Sequence, residues 1–247
     1  MTYWRQETFE ALGHAASSAV GRWPMYAEFA RLQSLGLRKK ALAMMPAFAE
    51  DLAGQEWSRR WEFAWWLYTE ALRPRVIMDM LAPHSLRQRV LFPTLKEGLQ
   101  DESKACPEAY LWLVQHHRED LAVADESPDR LLREGIQRFP GDGRLRRALA
   151  DRLLGYVEHA THHLDESAYL GNPAEDLELL REARELLDGK KAENGELLAE
   201  IEQAESLVRA WRRWSSEGRS GDFPAWCRSQ GLPAPNEGLT FYYGPKR

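Results

Sequence analysis

The sequence predicts an all-α protein, an irregular stack of antiparallel helical hairpins, and three observations carry that expectation. Apolar residues recur three and four apart along most of the 247 residues, which is the period of one helix face. Proline and glycine interrupt this pattern at short intervals, where helices start and stop. No strand-like alternation runs longer than a few positions, so at most a trivial strand is expected.

Taken in order, Thr2 to Val20 reads as the first helix. Its Glu7, Glu10 and Gly13 do not suit the apolar core of a secretory signal, and a cytoplasmic protein is expected. Pro24 opens a helix with Tyr26, Phe29 and Leu32 on one side. Leu37 starts another, carrying Ala41, Met44, Phe48 and Leu52, which Pro46 is expected to kink or divide. From Trp57 to Leu72, one face holds Trp61, Trp65, Tyr68 and Leu72, with Phe63, Trp66 and Leu67 beside it. A helix so apolar around its circumference is expected to lie buried between neighbours. It is too short for a bilayer, which needs about 20 predominantly apolar residues. Val76 to Gln100 continues as short helical pieces broken at Pro83 and Pro93.

The stretch from Ala109 to Asp142 is 34 residues long and reads as two helices and a turn. Tyr110, Trp112, Leu113 and Val114 line the first helix, before the charged run His117-Arg118-Glu119-Asp120. Ser127 caps the second, with Pro128 in its first turn and Leu131, Leu132 and Ile136 along one side. Phe139-Pro140-Gly141 ends it. Trp112, Leu132, Gly135 and Pro140 stand where tetratricopeptide repeats place an aromatic, an apolar residue, a small residue and a closing proline. The unit therefore resembles that family, over about half the chain. Gln115-His116 replaces the family's Leu-Gly pair, and a second partial match at Leu32, Gly36, Ala41 and Phe48 is offset by 87 residues, which is not a multiple of 34. The resemblance implies a degenerate helical stack that binds a protein or peptide rather than catalysing a reaction.

Leu145, Leu149 and Leu153 mark the next helix, which runs to about Leu164. Asn172-Pro173-Ala174-Glu175 forms an N-cap signature for a helix with Leu177, Leu180, Ala183 and Leu187. After the Asp188-Gly189 turn, its partner carries Leu197, Ile201, Ala204, Val208 and Trp211, which suits an antiparallel hairpin. Residues 215–247 change character, with nine glycines and prolines in 33 positions. There Asp222 is expected to cap a short helix from Phe223 to Gln230 that stops at Gly231, and Phe241-Tyr242-Tyr243 to pack back on the helices. The expected domains are thus a helical-repeat-like 1–214, with any subdivision near 100–106, and a C-terminal segment 215–247.

Charge points to a partner. Residues 1–100 hold 13 Lys and Arg against 10 Asp and Glu, residues 101–210 hold 14 against 25, and residues 211–247 hold 6 against 3. An acidic middle is poorly matched to nucleic-acid phosphates and well matched to a basic protein. Glu182, Glu185, Glu196 and Glu200 on the predicted hairpin are the candidate partner-binding residues. Arg181 and Arg184 between them also allow ordinary helix-stabilising pairs.

Catalytic motifs are missing: the chain has no G-x-S-x-G elbow, no phosphate loop and no dinucleotide fingerprint. Cys106 and Cys227 read as reduced thiols, although Cys106 with His116 or His117 could in principle form a nucleophile and base. Of the adjacent His116 and His117, one is expected to point in and one out. No catalytic residue and no cofactor are expected. The function expected is a non-enzymatic protein–protein interaction module, in particular a bacterial immunity-type inhibitor that neutralises a basic toxin such as a nuclease, without contacts to nucleic acid or membrane. A co-chaperone or secretion chaperone is one alternative. A small metal-binding protein is another, built on His159 and His163, four apart on a helix, with Asp165. A regulatory domain with a Trp-lined ligand groove is a third, since ten tryptophans that mainly fill gaps between helices would mark a binding surface if they clustered outside.

Overall fold

A computed structural model describes residues 6–72, 78–190, 193–218, 221–232 and 234–235. The start of the first helix at 2–5, residues 76–77 and the terminal aromatics at 241–243 lie outside the described residues. Among the described residues every regular element is helical and none is a strand, so the protein is all-α. None of these helices is long and apolar enough to cross a membrane. The chain forms two compact units, Met1–Gly135 and Ile136–Arg247.

In the first unit, α1 (Gln6–Ala19) packs on α2 (Pro24–Ser34), and α2 packs on α3 (Arg38–Ala53). Pro24 sits in the first turn of α2, where its missing N–H costs nothing. Gly36 then turns the chain at φ 73°, a conformation that favours glycine. Pro46 does not divide α3 as expected; it stands on the exposed side and the helix runs through to Ala53. Helix α4 (Trp57–Trp66) continues as a π-helical turn, Leu67–Ala71. Short α5 (Met78–Leu81) and α6 (His84–Leu86) follow, and α6 leads through a second π turn, Arg87–Leu91, into α7 (Phe92–Gln100). The expected break at Pro83 is present, since Pro83 precedes α6. At Pro93 the chain stays helical: proline falls in the first turn of α7, directly after a π turn that loosens the preceding hydrogen-bond ladder.

The core of this unit is a ring cluster. Tyr26, Phe63, Trp66 and Phe48 meet with centroids 5.3–6.1 Å apart and mostly edge to face, and such a pair adds about 0.5–1.5 kcal/mol beyond its buried area. The Tyr26 hydroxyl donates to the Leu81 carbonyl at 2.8 Å, so its one polar atom is satisfied in the core. Helix α8 (Pro107–His116) buries Ala109 through Val114 and packs on α7. His117 leaves helical geometry at φ −123°, which separates α8 from α9 (Arg118–Val123), and α10 (Pro128–Arg138) comes next. An ion pair of Lys96 with Glu126 at 2.5 Å ties α7 to the loop before α10, and the Tyr110 hydroxyl bond to Glu134 at 3.0 Å ties α8 to α10 itself. The division between the units falls after Gly135.

The second unit is built on α11 (Gly143–Thr161), α12 (Pro173–Leu187) and α13 (Gly195–Ser216), with α14 (Phe223–Ser229) closing one end. Three of its helices start on side-chain caps, of which Asn172 and Asp222 were expected and Asp142 was not. Asp142 accepts from the amides of Arg144 and Leu145, Asn172 from Ala174, and Asp222 from Ala225; a cap of this kind contributes about 1 kcal/mol. The apolar positions expected on α13, namely Leu197, Ile201, Ala204, Val208 and Trp211, are all buried. Leu164, Trp211, Trp214, Phe223 and Cys227 form a local core that fastens α14.

Candidate functional site

The aromatic face of the first unit departs from the expected burial. In α4 the side turned inward carries Phe63, Ala64 and Trp66. Trp57, Trp61 and Trp65, spaced four apart, form a row along the outer edge, where Trp57 and Trp61 are half-buried and Trp65 is 42% exposed. The rings touch in series: Trp57 stacks on Trp61 at 5.3 Å, Trp61 meets Trp65 at 6.1 Å, and both Trp61 and Trp65 lie 5.5 Å from buried Trp112 of α8. Trp112 in turn stacks on Tyr68 at 4.6 Å. Paired ions edge this row. Arg60 bonds Glu97 at 2.7 Å, Lys104 bonds Glu97 at 3.0 Å and lies 5.2 Å over the Trp57 ring, and Arg59 bonds Glu62 at 2.5 Å.

Behind the row lies a relay that sequence reasoning missed. The Tyr68 hydroxyl bonds His117 Nε2 at 2.6 Å, His117 Nδ1 bonds Asp120 Oδ2 at 2.6 Å, and Gln88 donates to the other Asp120 oxygen. With Nδ1 donating to the carboxylate, Nε2 is left to accept the Tyr68 proton, so every group is satisfied with the ring neutral. Burial pushes the Tyr68 hydroxyl well above its ordinary value, with Asp120 adding to the rise. Burial also lowers His117, against the pull of the Asp120 bond. The three are 7%, 1% and 6% exposed, so the relay lies inside the unit. His117-x-x-Asp120, three apart at the head of a helix, was the available signal. Of the adjacent histidines, His117 points in as expected, but His116 does not point out. His116 stays half-buried, stacks on Tyr68 at 5.3 Å and is pushed down to about 4 by burial.

Cys106 is a free thiol pushed up to about 11, chiefly by burial. It remains protonated near neutral pH and lacks the thiolate a nucleophile needs. Cys227 is free and buried.

In the second unit the four candidate glutamates divide between two helices. Glu182 and Glu185 are on α12, where Glu185 pairs with Arg181 at 2.7 Å; Glu196 and Glu200 are exposed on α13. Desolvation first, and then the neighbouring charges of Glu200 and Asp151, hold the Glu158 carboxyl of α11 above its ordinary value. Arg184, Glu205 and Arg209 form a separate bridge from α12 to α13, at 2.7 and 2.5 Å.

The expected His159–His163 pair required an uninterrupted helix, and α11 ends at Thr161. His159 stacks on His162 at 5.0 Å, while His163 gathers with Asp165 and also with Glu166, a residue that four-apart spacing does not bring in. A cleft of about 750 Å³ nearby is lined by Ser167, Tyr169, Asn172, Pro173, Trp211 and Arg212, with Trp211 its one tryptophan.

No protein family, curated protein or solved structure matches this chain.

Proposed function

We propose that the protein is a non-enzymatic protein-binding module whose anchor is the tryptophan row of α4. One observation carries this reading: Trp57, Trp61 and Trp65 stand together at the surface, with Trp65 42% exposed, although the same helix has an inner face able to bury such rings. Rigid aromatic rings at the centre of a patch, bordered by charged pairs, have the composition of a binding hot spot with its polar rim. The part of each ring still exposed, largest for Trp65, leaves water at low entropic cost when a partner covers it. Contact of each ring with the next, and of Trp61 and Trp65 with buried Trp112, fixes the row before any partner arrives, which lowers the cost of association.

The partner that fits is a basic protein. An excess of 25 Asp and Glu over 14 Lys and Arg in residues 101–210 supplies long-range attraction and a faster encounter. Within that class we favour an immunity-type inhibitor that captures a basic toxin and blocks it by occupancy. The test is capture from native lysate by the tagged protein and, in parallel, by a Trp61→Ala/Trp65→Ala variant whose helical circular dichroism is intact. A stoichiometric basic protein retained by the native chain, released by salt and lost with the variant is the expected result. Equal capture by both would overturn the assignment of the face.

A further inference from the structure

We infer that the turn following α11 is a binding site for one divalent transition-metal ion of the zinc class, held by His163, Asp165 and Glu166. Their ligand atoms lie within 4.8 Å of one another, and local geometry explains why. Leu164–Glu166 is a turn of 3-10 helix, where residues three apart eclipse, so His163 and Glu166 fall on the same side. His163 Nδ1 lies 3.4 Å from Glu166 Oε1. A tetrahedral ion with bonds of about 2.1 Å separates adjacent ligand atoms by about 3.4 Å, so this pair already spans one edge of such a site. Asp165, exposed beside them, offers the third ligand atom within the same 4.8 Å.

The turn is fixed independently of any ion. Leu164 is fully buried against Trp211, Trp214 and Phe223. The amides of Glu166 and Ala168 donate to the His163 carbonyl at 3.0 Å, and the Phe223 amide donates to the Ser167 hydroxyl at 2.8 Å. Ser167 reverses the chain at φ 58°, ending the turn immediately after the last ligand. A second feature favours a cation here: the three residues come directly after the C-terminus of the 19-residue α11, whose carbonyl end is the negative pole of the helix. One imidazole with two carboxylates is a mixed nitrogen and oxygen set, which suits zinc or manganese better than a thiolate-seeking ion. His163 and Glu166 are 40% and 69% exposed, so water completes the coordination and the site is open.

The experiment is calorimetric titration of chelator-free protein with zinc chloride, repeated with His163→Ala, Asp165→Asn and His159→Ala, and with magnesium chloride as a hard-cation control. Cobalt(II) absorption provides a second readout of ligand type. The expected result is one saturable equivalent of zinc in the native and His159→Ala proteins, at least about tenfold weaker binding in Asp165→Asn and loss in His163→Ala. All three positions lie at the surface, and unchanged circular dichroism of the variants separates ligand loss from unfolding. Absence of saturable zinc binding, binding indifferent to His163→Ala, loss with His159→Ala, or equal affinity for magnesium would each overturn the site.

Discussion

Replacing His116 by phenylalanine isolates how much of the acid sensitivity of the first unit comes from one half-buried imidazole. The substitution keeps a ring against Tyr68, where His116 stacks at 5.3 Å and 11°, and removes the titration. In the folded protein this histidine is pushed from 6.5 down to about 4, first by burial and then by neighbouring His117. A folded value below the unfolded one means that the unfolded chain binds a proton first. Stability from this group is complete above about pH 6.5 and is lost as the pH falls towards 4. The shift corresponds to about 3 kcal/mol when fully expressed, and to about 2 kcal/mol at pH 5, where the folded ring is still mostly neutral. Urea unfolding of the native chain and of His116→Phe, followed by circular dichroism at about pH 7.5 and about pH 5, measures the difference. His117, also lowered by burial, and the carboxylates add acid sensitivity to both proteins, so only the difference between them bears on His116. The native chain should lose about 2 kcal/mol more than the variant. Identical losses would refute a desolvated, neutral His116.

Three further outcomes rest on particular contacts. Tyr68→Phe leaves His117 Nε2 without its 2.6 Å partner in a buried place, and should cost about 1–3 kcal/mol in urea unfolding; a neutral result would mean that the relay contributes nothing to the fold. Gly171→Ala would bring a Cβ to 2.6 Å from Asp176 Oδ2 and 2.8 Å from the Ala160 Cβ, so a loss of about 1–3 kcal/mol is expected, and a melting temperature equal to that of the native chain would contradict the close packing of Gly171 on Ala160 and Asp176. With its thiol pushed up to about 11, Cys106 should react with iodoacetamide at neutral pH far more slowly than a model thiol does; fast labelling would show an activated cysteine and reopen the nucleophile reading.

Much of the helical order is legible in the chain because its signals are local. Pro24, Asn172 and Asp222 each start the helix expected of them, since capping acts over three or four residues. Signals that depend on the surroundings were not legible. Pro46 stays inside α3 and Pro93 comes after a π turn without a break, because a proline tolerated within a helix differs from one that stops it only through the neighbouring ladder. In α4, periodicity marked Trp61 and Trp65 as an apolar face but could not tell which side would be turned to the core; Phe63 and Trp66 took that place. The metal candidate shifted from His159 to Glu166 because the end of α11 at Thr161 changes the register from helical to 3-10, a change that spacing in the sequence does not reveal.

The central claim is that the tryptophan row binds a protein, and the most direct measurement compares the affinity of the native chain and of Trp65→Ala for a captured partner by calorimetry. Trp65 is 42% exposed but touches Trp61 and Trp112, so its removal should cost about 1–3 kcal/mol of stability and leave the chain folded, while binding should weaken by at least about 2 kcal/mol, roughly 30-fold, as for a hot-spot residue. Unchanged affinity of the folded variant would contradict the account.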